Sequence, residues 1–346
     1  MEHRIAFARE DTFAGWPANN GVWIWEDQEI LTGCSTGKLL VQPGHNITGT
    51  VDSILLRSQD GGETWTAERP PNFVGDGDKL CLLEEALDFT SPGLALRMIG
   101  IGYHGCAEKR GGFFASLDRG VNWSGPFFFN GLQETTELRG LELSPRTDYL
   151  VKGAADCLVF LSARDPENWG SDRAFCARTQ DGGLHFNFLS WITPPQDPYR
   201  GVMPSTATCG DGKLVSAVRR RSMKSGECWI DAYCSSDNGL NWTFLSRVGN
   251  TGVENGNPPA LVHLKDGRLC CIYGCRTRRK MLARFSANEG TTWREELVLR
   301  EDFSALDEDA DFGYPRLAQR QDGKLVAMYY WATQEIPYQH IAVTIF

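Results

Sequence analysis

Short apolar runs, rich in β-branched and aromatic residues, recur along the whole chain and alternate with compact polar turns. Ala260-Leu-Val-His-Leu264 and Leu269-Cys-Cys-Ile-Tyr273 flank a turn at Asp266-Gly267, and the same phrase returns as Asp211-Gly-Lys-Leu214 and Asp322-Gly-Lys-Leu325. Asp-Gly between two such runs closes a β-hairpin, because glycine takes positive φ without a Cβ clash and the carboxylate bonds nearby backbone. The pattern predicts strands throughout.

A second phrase interlocks with the first. It reads Ser58-Gln-Asp-Gly-Gly-Glu-Thr-Trp65, Ser116-Leu-Asp-Arg-Gly-Val-Asn-Trp123, Thr179-Gln-Asp-Gly-Gly-Leu-His-Phe186, Ser235-Ser-Asp-Asn-Gly-Leu-Asn-Trp242 and Ser286-Ala-Asn-Glu-Gly-Thr-Thr-Trp293. The third copy ends in Phe186 and the fifth has Asn288 in place of Asp. A period of roughly 50–60 residues signals an array of equivalent supersecondary units. Each octet is a tight turn followed by a large apolar plug suited to packing between neighbouring sheets.

Together the two turns define one unit: strand, Asp-Gly turn, strand, connection, strand, octet, strand. That is a four-stranded antiparallel meander, a propeller blade. Five octets and a last unit beginning near Asp311 predict an all-β, six-bladed β-propeller occupying residues 1–346 as one domain, the last blade sharing a strand with the N-terminal segment. In such a meander both repeated turns lie at one end of the blade. The other face carries the residues just before the first strand and just after the second, and ligand sites gather where such variable loops meet the channel.

Composition narrows the classes. The chain of 346 residues has a net charge of −9 and no long basic run, which argues against nucleic acid as a partner. No apolar window is long enough for a membrane span, and the first residues lack the apolar core of a signal peptide. The eleven cysteines show no zinc spacing, so reduced, buried thiols in a cytoplasmic protein are expected; no cofactor is implied, and scattered carboxylates leave only a structural Ca²⁺ open.

On the variable face, Tyr314 and Arg316 stand at the start of the last blade in Asp311-Phe-Gly-Tyr-Pro-Arg316. Arg276 follows the second strand of the preceding blade, and Arg219 ends the second strand one blade earlier, within Arg219-Arg-Arg221, of which at most two can face the channel. Converging guanidiniums call for an anion, and arginine grips a carboxylate bidentately. Trp16 and Asn20, in Trp16-Pro-Ala-Asn-Asn-Gly-Val-Trp23, suit stacking on a sugar and bonding its hydroxyls; Trp16 and Trp23 equally suit core plugs. Asp11, Asp52, Asp88, Glu254 and Asp311 are the acidic groups within reach of this face, and either Arg219 or Arg276 could be ion-paired to them. His104 is a candidate acid/base or a structural histidine.

The octets resemble the Asp-box (BNR) repeat of sialidases, and the layout is similar to the sialidase superfamily over nearly the whole chain. The segment from Gly313-Tyr314 through Asp322-Gly323 to Tyr329 looks like the family's nucleophile segment, and Arg276 and Arg219 stand where its carboxylate-binding arginines are expected. That resemblance implies a glycoside hydrolase acting from the end of a glycan on an acidic, sialic-acid-like sugar. Tyr314 would be the nucleophile, Asp311, Glu254 and Asp52 would be candidate partners in acid/base work, and Arg219, Arg276, Arg316 and Arg9 would hold the anion. A neutral phenol suits this chemistry because the sugar's own carboxylate would repel an anionic nucleophile. The chain departs from the pattern in two places: Arg9 is followed by Glu10 rather than Ile-Pro, and Met203 stands where the family's glutamate would be. Two other readings are a lyase or hydrolase of uronate- or rhamnose-containing glycans, and a carbohydrate-binding propeller without activity.

Overall fold

The computed structural model describes every residue except 71–72, 74–79, 101–108 and 308; His104 lies outside the described residues. Six antiparallel sheets follow one another along the chain as the blades of a propeller. Blade four is the plainest, with strands Arg200–Thr208, Leu214–Arg221, Glu227–Ser235 and Thr243–Val253 in sequence order. Blade five has the same plan. In blades one and three the inner strand is broken in two, Thr12–Gly15 with Val22–Ile24 and Glu142–Leu143 with Tyr149–Gly153, each pair of pieces sharing one partner strand. Among the described residues blade two has three strands, Ala95–Ile99, Gly112–Ser116 and Ser124–Phe128. Blade six takes its outer strand from the N-terminus: Glu2–Phe7 pairs antiparallel with His340–Ile345, Glu2 opposite Ile345. The two ends of the chain thus close the ring, as the repeat pattern predicts.

The octets are turns built on one bonding scheme. In the second copy Ser116 Oγ donates to Asp118 Oδ1 and accepts from the Gly120 N–H, both at 2.8 Å, and Trp123 Nε1 donates to the Gly120 carbonyl at 2.9 Å. Gly120 sits at φ 80°, and a Cβ there would fall 2.4 Å from Leu31 of blade one, so glycine is required both by conformation and by the neighbouring blade. Trp123 packs against Trp23 and Phe73, with centroids 5.7 and 5.1 Å away. Asn288 replaces Asp in the fifth copy and keeps the turn's own bonds, its amide oxygen accepting from Ser286 Oγ and the Thr292 N–H at 2.9 Å each, while Trp293 Nε1 donates to Ser246 Oγ rather than to the glycine carbonyl. The ten described cysteines form no disulfide, and burial raises the thiols of Cys34, Cys157, Cys176 and Cys270.

A third in-phase repeat becomes visible at the opposite face. The mouth end of the inner strand carries a residue followed by proline in five blades: Trp16-Pro17, Ser144-Pro145, Met203-Pro204, Asn257-Pro258 and Tyr314-Pro315. Trp16, Met203 and Tyr314 adopt left-handed backbone at φ 58°, 58° and 48°. Each such residue costs about 1–3 kcal/mol and persists only where its surroundings enforce it. At Tyr314 the enforcing group is Asn257, wholly buried, whose Oδ1 accepts from the Tyr314 N–H at 2.7 Å and whose Nδ2 donates to the Phe312 carbonyl at 3.1 Å.

Ser116→Ala should lower stability by about 1–3 kcal/mol, since it leaves the buried Gly120 N–H without its acceptor. Denaturant titration beside a binding or activity assay checks it: the midpoint should fall while the opposite face keeps its function.

Candidate functional site

The strand-end rule brings Tyr314, Arg219 and Arg276 to one place. Tyr314 opens the inner strand of blade six and Arg219 ends the second strand of blade four; Arg219 Nη1 donates to the Tyr314 hydroxyl at 3.0 Å. Both are buried. Arg219 also lies against Met203 Sδ at 3.8 Å, and none of the carboxylates among the described residues forms an ion pair with it. Burial pushes the Tyr314 phenol up, but the Arg219, Arg276 and Arg146 guanidiniums outweigh it and hold the group below the ordinary tyrosine range. Arg219 and Arg276 both stand over the ring, 5.7 and 5.9 Å from its centroid.

Beside this pair lies a knot of hydrogen bonds centred on Asp311. Its Oδ1 accepts from the Tyr330 hydroxyl at 2.5 Å, from His45 Nδ1 at 3.0 Å and from Arg276 Nη2 at 3.2 Å. Asp311 is thus a buried anchor, and the proton on His45 Nδ1 is assigned by its acceptor. The His45 ring is further held by Trp16, edge-on at 5.1 Å. Burial, the Asp311 charge and the Tyr314 charge push the Tyr330 phenol well above its usual value despite Arg276. Two phenols a few ångströms apart are therefore driven in opposite directions, and only Tyr314 is made acidic.

Tyr314, Met203, Arg219 and His45 line a cavity of about 640 Å³ at the channel mouth. Its remaining wall includes Arg146, Arg164, Arg200 and Arg221, against two carboxylates, Asp172 and Glu254. A smaller cavity of about 290 Å³, lined by Arg276 and Asp311, shares Gly44, Glu254 and Asn255 with it. The larger space is in the range of small-ligand sites. Although the chain as a whole is acidic, this wall is cationic.

The other expected site residues are placed elsewhere. Arg316 is buried in the channel, its Nη2 donating to the Ala18 and Thr147 carbonyls, so it ties blades together below the mouth. Its pKa is lowered to about 10 by burial, with partial relief from Asp148. Asn20 is wholly buried and accepts from Arg97 Nε at 3.0 Å, while Trp16 is a core plug against Phe13. Arg9 is exposed in the turn before Thr12–Gly15, and Asp52 is ion-paired with Arg69 on blade one; neither lines the cavity. Glu254 stands at the rim, its side chain 69% exposed and ion-paired with Arg221. Arg276 takes the ion-paired alternative, with Asp311. His45 escaped the sequence reading although Gly44-His45 follows the second strand of blade one, the very position that singled out Arg276. Asp172, which holds Arg200 at 2.6 Å and Ser144 at 2.9 Å, gave no such signal, being inside a third strand.

A six-bladed propeller with Asp-box turns on one face is the architecture of the sialidase-like class of propellers. Residues 85–327 match the family described as BNR repeat-like domain, and the chain belongs to that family. Among solved structures it is similar to a protein of unknown function from Dyadobacter fermentans (TM-score 0.74, 19% identity, covering 99% of this chain and 97% of that one). It is also similar to the α-L-arabinanase of Penicillium chrysogenum complexed with arabinobiose (0.60, 16%, 97% and 96%). The NanB sialidase of Streptococcus pneumoniae is a third (0.60, 10%, 99% and 70%). At these identities the likeness is one of fold. No curated protein matches the chain.

Two titrations test the electrostatics. The phenolate absorbance missing from Tyr314→Phe should appear below the normal tyrosine range in the unaltered protein and move upward in Arg219→Met, because the nearest cation is gone. In the channel, burial raises Asp148 from 3.8 to about 7, against the pull of Arg316. A carboxyl raised in the folded state binds a proton that the unfolded chain has released, so its contribution falls as pH rises from about 4 to about 7. Asp148→Asn should therefore gain melting temperature relative to the parent as pH rises across that window and level off above it.

Proposed function

We propose that the chain is a glycoside hydrolase that removes a terminal acidic sugar, with Tyr314 as nucleophile. The observation that carries this reading is the 3.0 Å contact of Arg219 with the hydroxyl of an acidified, buried tyrosine on a cationic cavity wall. Arg219 meets Tyr314 from blade four, and Met203 stands where the resemblance leads one to expect a glutamate. The phenol's acidity would then come from guanidinium charge rather than from a carboxylate base.

In the first half-reaction the Tyr314 phenol passes its proton to His45, its oxygen bonds the anomeric carbon as the glycosidic C–O bond breaks, and the departing oxygen takes that proton from His45. In the second, water gives up a proton, bonds the same carbon and frees Tyr314. His45, whose Nδ1 donates to Asp311 at 3.0 Å, would give and then take that proton through Nε2. The sugar's carboxylate would lie against the Arg219 side of the wall, where charge-assisted hydrogen bonds outlast competition from water. The propellers of similar fold include an arabinanase and a sialidase, which fits a glycosidase without choosing the sugar.

A panel of fluorogenic glycosides carrying N-acetylneuraminate, glucuronate, galacturonate and arabinofuranose tests the reading. An acidic member should be hydrolysed, Tyr314→Phe should lower kcat by about a thousandfold or more, and His45→Asn by about a hundredfold or more. Full activity in Tyr314→Phe would remove the nucleophile assignment. Ultraviolet absorbance of an unsaturated uronate, in place of hydrolysis, would mark a lyase instead, and binding without turnover a carbohydrate-binding propeller.

A further inference from the structure

The cavity extends well beyond the tyrosine. Blades three and six face each other across the ring, and one continuous lining joins Tyr314 of blade six to Arg164, Trp169 and Asp172 of blade three. Trp169 sits at the tip of the hairpin between Asp156–Asp165 and Asn168–Thr179, and is 51% exposed. A half-exposed tryptophan on a cavity wall is an aromatic surface held ready for a ligand rather than a core plug.

Arginines crowd this end. The guanidiniums of Arg200 and Arg221 stand 5.3 and 5.2 Å from the Trp169 ring centroid, and Arg164 lines the same wall. Arg200 is fixed from behind by Asp172, itself buried and bonded to Ser144. Arg221 is held more loosely: its visible carboxylate partner is the exposed Glu254 at the rim, and its Nε is buried without a hydrogen-bond partner. Two cations sharing one indole, one with an unmet buried donor, make a place where an oxyanion relieves both charge repulsion and the unmet donor.

We propose that this outer half of the cavity is a second sugar-binding site that takes an acidic residue, so that the substrate is an oligosaccharide charged on both sides of the bond that is broken. Trp169 supplies the apolar wall and Arg221 and Arg200 bind the oxyanion. The inference rests on the reading that the Tyr314 end is where the bond breaks; the anion is a carboxylate or a sulfate ester on a sugar ring.

Calorimetric titration with three probes separates the outcomes: a galacturonate trisaccharide, a sulfated heparin-derived tetrasaccharide and neutral arabinotriose. At least one anionic probe should bind tenfold or more tighter than arabinotriose, with affinity falling as salt rises. Trp169→Ala and Arg221→Ala should each reduce that affinity at least tenfold, with unchanged melting temperature. The probe that binds identifies carboxylate or sulfate. Equal binding of neutral and anionic probes, no binding of either anionic probe at millimolar concentration, or indifference to both substitutions would overturn the proposal. If anionic binding depends on Trp169 and Arg221 while nothing is hydrolysed, this site stands and the hydrolase reading fails.

Discussion

A buried guanidinium must face oxygen or aromatic surface, because removing its charge from water is expensive without a partner. Much of this propeller's mouth is arranged around that constraint. Arg276 faces Asp311, Tyr330 and a carbonyl; Arg316 faces two carbonyls across the channel; Arg200 faces Asp172. Arg219 has the phenol of Tyr314 and a thioether. Of these four it alone faces neither a carboxylate nor a carbonyl, and that difference is what the proposed site is built on.

The same constraint explains why the site spans blades rather than residing in one. Five of the six blades carry a residue ahead of a proline at the mouth end of the inner strand, three times in left-handed backbone. Those side chains come from separate strands, and their neighbours must hold them there. Asn257 of the strand entrance in blade five fixes the backbone of Tyr314 in blade six, and Trp16 of blade one backs His45. Strain stored at one entrance is thus balanced by hydrogen bonds from the next. The octet turns, on the far face, repeat a single bonding scheme and leave the mouth free to vary. Fold and chemistry are separable here, which is why the family does not by itself name the substrate.

Legibility followed the same division. Tyr314, Arg219 and Arg276 could be read from strand direction alone, since position relative to a hairpin turn sets the end of the blade. Arg316 was misplaced by two residues' worth of strand: it sits deeper than Tyr314 and reaches carbonyls of the channel. Asn20 and Trp16 were assigned to the right entrance, but a short helix, Pro17–Asn20, turns them inward against Arg97 and Phe13. Asp52 and Arg9 carried nothing but charge and proximity in sequence, and each lies outside the cavity lining. His45 obeyed the positional rule and was passed over; Asp172 and Trp169 obeyed no rule, because one is inside a strand and the other at a hairpin tip of unrepeated length.

Local chemistry was enough to determine the scaffold. Asp-Gly turns, octets and alternating apolar runs act over a few residues, so their meaning survives without knowledge of distant contacts, and five copies in phase leave one architecture. The state of each charged group was decided only by tertiary structure. Whether an arginine is spent on a carboxylate or faces a phenol, and whether Tyr314 or Tyr330 becomes the acidic one, depends on residues as far as 95 positions apart meeting at the mouth of a closed ring, where burial strengthens every electrostatic difference.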